Sequence, residues 1–298
     1  MRLLVTGSNG LLGQKLVLLM GTKPNLKILA TGRGECRIQQ LPPNARYQTC
    51  DISSAEMTLR VLQNFMPDIV IHSAAKTNVD ECELNPKECH LQNVEATHNV
   101  VKACEQISAH LIHLSTDFIF DGKEGPYDEA ALPNPISIYG QSKLDAEKLV
   151  QKANCPWSIV RTVLVYGIAP GLSRSNIILW VKASLEQEKE IQVVDDQFRT
   201  PTLAEDLAEG CLLIAEKGAT GIFNISGKDF LTPYEMALHT ADFFHLDKNL
   251  IKRADSTTFT QPAKRPPRTG FNISKAEKIL GYQPHSFREG IEIMSRQI

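Results

Sequence analysis

Tyr139 and Lys143 stand four residues apart, a spacing that puts a phenol and an ammonium on one face of a helix. An ammonium beside a phenol lowers its pKa, and a phenol so placed can give a proton to the alkoxide left when a ketone is reduced. A Tyr-x-x-x-Lys pair arises by chance in many helices, so its meaning depends on what stands upstream. There, at the end of the apolar run His110-Leu111-Ile112-His113-Leu114, lies Ser115-Thr116-Asp117. A hydroxyl at that point can hydrogen-bond a carbonyl and hold it beside the phenol. Thr116 is assigned that role ahead of Ser115.

Thr6-Gly7-Ser8-Asn9-Gly10-Leu11-Leu12-Gly13 follows the first apolar run and opens the first helical pattern. A dinucleotide site needs glycines at such a junction. A tight turn, a backbone open to the pyrophosphate and a close strand-helix contact each exclude a Cβ, while the helix amino end offers N–H donors and a positive dipole. Gly7, Asn9, Gly10, Leu11, Leu12 and Gly13 are therefore expected to hold a dinucleotide, whose nicotinamide ribose Lys143 can reach. The second strand ends Thr31-Gly32-Arg33-Gly34, with no carboxylate before Glu35 to bind a ribose 2′-hydroxyl. Arg33 can meet a 2′-phosphate instead, through charge-assisted hydrogen bonds. NADPH is the expected cofactor.

These residues need a scaffold that presents them together. Strand patterns fall at 3–6, 27–30, 68–72, 110–115 and 157–161, with helical patterns at 11–19, 55–65, 88–107 and 138–152. Strands alternating with helices imply crossover connections, hence a doubly wound parallel α/β sheet of Rossmann type. Past Tyr166 the pattern loosens into a helical stretch at 175–186, an extended piece at 191–194, a helix at 204–216 and a strand at 222–225. Later helices are expected near 233–244 and 274–280. The expected organisation is a dinucleotide-binding domain over 1–165, to which 195–227 return, and a smaller interleaved substrate lobe from 166–194 and 228–298. The stretch 261–268, rich in Pro and basic residues, reads as a substrate loop.

With 298 residues, 42% of them hydrophobic and 22% charged, the chain can bury a sizeable core. A formal charge of -2 gives no global attraction for nucleic acid. Seven cysteines without a C-x-x-C spacing indicate neither a disulfide framework nor a zinc site, and point to a reducing compartment. The first apolar residues serve a core strand better than a signal peptide, and no apolar run approaches the ~20 residues that span a bilayer. A cytoplasmic protein with a small-molecule partner is expected, and a homodimer is compatible with this. His72, His110 and His113 read as packed or edge-of-strand histidines, and Glu81, Glu83 and Glu88, flanking Cys82 and Cys89, as a solvated helix face.

The G-x-x-G-x-x-G spacing resembles the extended short-chain dehydrogenases/reductases. Asp51-Ile52, after a third strand, resembles that superfamily's adenine-contacting pair. Ser73-Ala74-Ala75-Lys76 resembles its loop beside the adenosine ribose, and Asn93 the asparagine that supports the lysine through water. More specifically, Ser115-Thr116-Asp117-Phe118-Ile119-Phe120-Asp121-Gly122 resembles the S-T-D-Y-V-F-D-G segment of the dTDP-4-dehydrorhamnose reductase family. Matches run nearly the length of the chain, through Thr77-Asn78-Val79-Asp80, Arg161-Thr162, Pro201-Thr202 and Arg265-Pro266. The resemblance implies NADPH-dependent reduction of the 4-keto group of a dTDP-6-deoxyhexulose to dTDP-rhamnose, some family enzymes accepting NADH. It implies that Thr77, Val79, Asp117, Phe118 and Arg265 face a sugar nucleotide. Some members bind magnesium, but no spacing here locates such a site, and no metal is expected.

Three departures bear on the sugar. Val163-Leu164 stand where the family has Ser-Trp, Arg199 replaces a glycine, and Arg268 replaces an asparagine. The two arginines point to a more anionic or differently held ligand. Two alternatives remain: a sugar-nucleotide epimerase of the same superfamily, and a non-catalytic subunit with the reductase fold, such as the one that pairs with methionine adenosyltransferase. A dehydratase is disfavoured because Phe118 follows Asp117, where those enzymes carry a second acid.

Overall fold

A computed structural model describes residues 1–172 and 176–298. The strands, in chain order, are β1 (Arg2–Thr6), β2 (Lys27–Gly32), β3 (Ala45–Thr49), β4 (Ile69–His72), β5 (His110–Thr116), β6 (Trp157–Thr162), β7 (Val165–Tyr166), β8 (Ile191–Val194), β9 (Thr202–Leu203), β10 (Gly221–Asn224) and β11 (Ile251–Ala254). The α-helices are α1 (Leu11–Gly21), α2 (Ala55–Phe65), α3 (Val79–Leu84), α4 (Pro86–His90), α5 (Ala96–Ile107), α6 (Ile138–Gln151), α7 (Ile177–Glu186), α8 (Ala204–Lys217), α9 (Pro233–Phe243), α10 (Ser274–Leu280) and α11 (Phe287–Ser295).

Seven strands form one parallel sheet in the order β10-β6-β5-β4-β1-β2-β3. This is the expected doubly wound sheet. Its strands are continuously apolar because both faces are covered. On one face Leu3 and Val5 pack with Leu16, Val17 and Met20 of α1 and Leu207 and Cys211 of α8. On the other, Leu4, Val70 and Leu111 pack with Val61 and Leu62 of α2 and Val100 of α5. The order reverses between β1 and β4, so their carboxyl ends open a crevice that loops cannot close. Gly7 and Ala74 both lie at that end.

Two differences from the sequence pattern matter for the site. The third strand, needed before Asp51 but not located by periodicity, is β3, an edge strand whose residues are mostly exposed. The expected helix at 88–107 is split into α4, a π-helical turn at Leu91–Glu95 and α5. The extended piece 191–194 is β8, paired in parallel with β11. The helical stretch expected from 175 begins at Ile177, and residue 175 itself lies outside the described residues. Val181, Leu185, Ile191, Val193, Ala237, Ala241 and Ile251 form an apolar cluster of their own in this later part of the chain. Among the described residues no helix is long and apolar enough to cross a membrane.

Candidate active site

The helix that carries the phenol is fixed at its first turn. Ser137 Oγ accepts from Gly140 N at 3.1 Å, and Glu83 Oε2 accepts from Ile138 N at 3.1 Å. Glu83 is thus no part of a solvated face; its carboxylate sits at the positive end of α6. A Cβ on Gly140 would lie 2.1 Å from the Phe118 carbonyl oxygen, so only glycine lets α6 lie this close to the 3-10 turn Asp117–Ile119. Phe118 packs edge-on to Tyr139, ring centroids 5.7 Å apart. Cys82 and Cys89 are buried against the same phenol.

Tyr139 and Lys143 are both buried. Burial pushes the phenol above its ordinary range, a hydrogen bond with the Thr116 hydroxyl pulling the other way. Asp117, Cys82 and Cys89 add to the rise. Desolvation also draws Lys143 down to about 8. Its Nζ donates to the Leu114 carbonyl at 2.6 Å and stands 3.4 Å from His113 Nε2.

Thr116 is buried and bonded within its own turn. Its hydroxyl donates to Asp117 Oδ1 at 3.0 Å and accepts from Phe118 N at 3.3 Å. Ser115 Oγ, by contrast, is buried with no partner among the described residues. Asp117 is itself buried instead of facing ligand, accepting also from the Thr269 hydroxyl. Burial pushes its carboxyl up, opposed first by the charge of Arg199, whose Nε lies 3.8 Å away.

Arg199 is likewise buried, not turned to a ligand. It donates to the carbonyls of Phe198 (2.7 Å), Pro266 (2.7 Å) and Pro267 (3.2 Å), tying the 266–267 loop to its own segment. Arg268 remains exposed, its guanidinium 4.6 Å from the Phe198 ring centroid and 5.1 Å from that of Phe230. Arg265 forms a two-point pair with Asp80 at 2.9 and 2.6 Å, which ties the same loop to α3. Thr77 is exposed and Val79 half-buried at the start of α3. Leu164 is 44% exposed with φ of 37°, a left-handed backbone that costs a leucine about 1 kcal/mol.

At the dinucleotide end, Gly7 has φ of 67°, and a Cβ there would lie 2.7 Å from the Ala74 backbone. One on Gly13 would lie 2.3 Å from the Gly7 carbonyl oxygen. Gly10 precedes α1 without any side-chain cap, so the N–H groups of Leu11, Leu12 and Gly13 have no intrahelical partner. That cradle fits a pyrophosphate. Asn9 does not face it. Its Nδ2 donates to Arg33 O, Glu35 O and the Tyr47 hydroxyl at 3.1, 2.9 and 3.1 Å, and Oδ1 accepts from Arg37 N at 2.9 Å. Asn9 thereby clips the glycine loop to the loop carrying Arg33. Tyr47 and Thr49 hydroxyls reinforce it by donating to Gly34 O. The Arg33 side chain is exposed with no hydrogen-bond partner among the described residues.

Asp51 accepts from Ser53 N and Oγ at 3.0 and 2.8 Å, and Ile52 is buried. Ala74, Ala75 and Lys76 line the end of β4 half-buried. Asn93, turned inward from the π-helical turn, accepts from Lys76 N at 2.7 Å and donates to Lys76 O at 3.1 Å and Ser142 Oγ at 2.9 Å. Both amide protons are committed, and Asn93 braces this loop against α6. Sequence reasoning passed over Ser137, Arg37, Tyr47 and Ser142, the last three of which take their parts in the site through contacts far along the chain.

A dinucleotide cradle at a strand-order reversal, with Thr116, Tyr139 and Lys143 buried together, defines an oxidoreductase of the short-chain dehydrogenase class. The chain belongs to the family described as the RmlD substrate binding domain, whose model matches residues 1–298. It is 31% identical over 296 residues to methionine adenosyltransferase 2 subunit beta of Xenopus tropicalis, covering 97% of this chain and 86% of that one. The structure of a dTDP-4-dehydrorhamnose reductase from Clostridium acetobutylicum superimposes with a TM-score of 0.88 at 27% identity, over 100% of this chain and 99% of that one. The dTDP-4-dehydrorhamnose reductase of Bacillus anthracis, in complex with NADP, gives 0.84 at 26%, with the same coverage. The expected family and sheet are both borne out.

Proposed function

We propose that the protein reduces the 4-keto group of a nucleotide-activated deoxysugar with NADPH, dTDP-4-dehydrorhamnose to dTDP-rhamnose being the leading reaction. The observation that carries this is the joint burial of Thr116, Tyr139 and Lys143 in a chain whose first helix leaves its amino end uncapped. Bound in the crevice, NADPH supplies the hydride. Gly7, Gly10 and the N–H groups of 11–13 hold its pyrophosphate, and Arg33 meets the 2′-phosphate. Asp51, Ile52 and the 74–76 loop flank its adenosine. Tyr139, kept protonated by burial, gives its proton to the keto oxygen, and Lys143 orients the ribose. Residues 166–194 and 228–298 serve as the substrate lobe, with Thr77, Val79, Phe118, Leu164, Arg265 and Arg268 around the sugar nucleotide.

The test is NADPH oxidation on adding dTDP-4-dehydrorhamnose, followed at 340 nm. No oxidation with this or other 4-keto sugar nucleotides would remove the reading. It would favour the second one, a regulatory subunit, which the identity to methionine adenosyltransferase 2 subunit beta supports. Protein purified with tightly held NAD would instead favour an epimerase. For the cofactor, Arg33→Ser is expected to raise the Michaelis constant for NADPH about tenfold and leave that for NADH unchanged, as suits one exposed charge-assisted contact. Equal effects on both would show that Arg33 reads no 2′-phosphate.

A further inference from the structure

Lys143 rests on a histidine that the chemistry above does not use. His113 on β5 and His72 on β4 are register partners, with ring centroids 5.2 Å apart, and both are buried. His72 is held at both nitrogens, Nδ1 by Thr6 Oγ1 at 2.8 Å and Nε2 by Thr97 Oγ1 at 3.1 Å. His113 is not. Its Nδ1 is buried with no partner among the described residues, and its Nε2 meets the Lys143 ammonium at 3.4 Å. Leucine or isoleucine would fill such a strand position without leaving a polar nitrogen unpaired. An imidazole there is explained by the Lys143 ammonium at its Nε2.

An ammonium has three protons. Leu114 O takes one at 2.6 Å and His113 Nε2 lies in line for another, so the direction of the third is set by the first two. Acceptance requires a neutral ring. Burial, with Lys143 and His72 adding to it, holds the His113 imidazole well below its ordinary range. The titratable neighbours that favour the Lys143 ammonium are Glu147 on its own helix and Cys89 on α4. Glu147 is ion-paired with Arg161 at 2.8 Å.

We propose that His113 is a positioning residue for the reduction: its neutral Nε2 accepts from the Lys143 ammonium and, with the Leu114 carbonyl, aims the remaining proton at the cleft. The kinetic consequences rest on the reductase reading; the contact itself does not.

His113→Leu removes the acceptor at similar volume, whereas His113→Gln restores an acceptor oxygen near the Nε2 position. The leucine variant is expected to lose about tenfold or more in kcat with the sugar Michaelis constant within about twofold, as fits a group acting on the transition state. The alkaline limb of its kcat/KM profile moves to lower pH, because a buried ammonium that loses an acceptor gives up its proton more readily. The glutamine variant recovers most of both. Should the leucine variant fail to fold, His113→Asn, too short to reach Nζ, gives the same contrast with glutamine. A substrate-free readout is the NMR titration of protein labelled with 13C at the lysine ε-carbon, the Lys143 signal being identified by its loss in Lys143→Arg. Its midpoint falls in the leucine or asparagine variant and returns in the glutamine variant. Identical titrations and identical kcat in all folded variants would overturn the proposal. If wild-type protein oxidises no NADPH, the reductase reading fails while the lysine titration still decides the role of His113.

Discussion

Tyr139→Phe is expected to lower kcat by about 10³-fold while leaving NADPH affinity and the melting temperature near wild type. A positioned general acid contributes 10²–10⁴-fold, and ~10³ corresponds to roughly 4 kcal/mol of transition-state stabilisation. The ring stays in place against Phe118, Cys82 and Cys89, and the lost hydroxyl leaves Thr116 still bonded to Asp117 and Phe118 N. A variant that keeps a tenth of wild-type turnover would take the proton-donor role from Tyr139. The same geometry predicts which group limits the rate in alkali. Burial raises the phenol and draws Lys143 from 10.5 to about 8. In the free enzyme kcat/KM therefore falls as pH rises through about 8, with the loss of the ammonium proton. Stability moves the other way. Between about 8 and 10.5 the unfolded chain binds the extra proton, so this lysine makes folding more favourable as pH rises across that window. Lys143→Arg, which stays charged, should lose the alkaline limb.

How much of this was legible in the sequence depends on where each residue finds its partner. β5 announced itself because all seven of its residues are buried, and the glycine loop because its chemistry is local. β3 did not. Its edge position leaves Arg46, Gln48 and Thr49 exposed, so it carries no apolar run, yet Tyr47 and Thr49 hold the loop that presents Arg33. The helix through Asn93 had the right composition and the wrong continuity. A π-helical turn inserts one residue into the ladder without changing residue types, and that insertion directs Asn93 at Lys76 and Ser142. Thr116 was recognisable by type, but which way its proton points is set by Asp117, whose other oxygen is held by Thr269, 152 positions further on. Periodicity has no reach over such separations.

Arg199→Ala tests that last network and should be the most damaging change outside the catalytic pair. Arg199 is buried, and its loss strands three backbone carbonyls of Phe198, Pro266 and Pro267 and leaves the buried Asp117 without a counter-charge. Removing one partner of a buried pair costs about 3–5 kcal/mol, which for a chain of this size lowers the melting temperature by roughly 5–8 °C. Asp117, already pushed up by burial, then takes up a proton at higher pH, and a protonated carboxyl no longer accepts from both Thr116 and Thr269. Turnover therefore falls along with substrate affinity, in contrast to the affinity loss alone that an arginine facing the sugar would give. Arg268→Ala sets the scale. Its exposed guanidinium over Phe198 and Phe230 contributes about 0.5–1 kcal/mol, so its melting temperature should shift by no more than about 3 °C. Asp117→Asn completes the cycle. Taking away the buried charge relieves part of what Arg199→Ala costs, and the double variant should be more stable than the sum of the single losses predicts. Additive losses, or equal melting temperatures for the two arginine variants, would show that Arg199 and Asp117 act independently, and the 266–267 loop would then owe its placement to Arg265 and Asp80 instead.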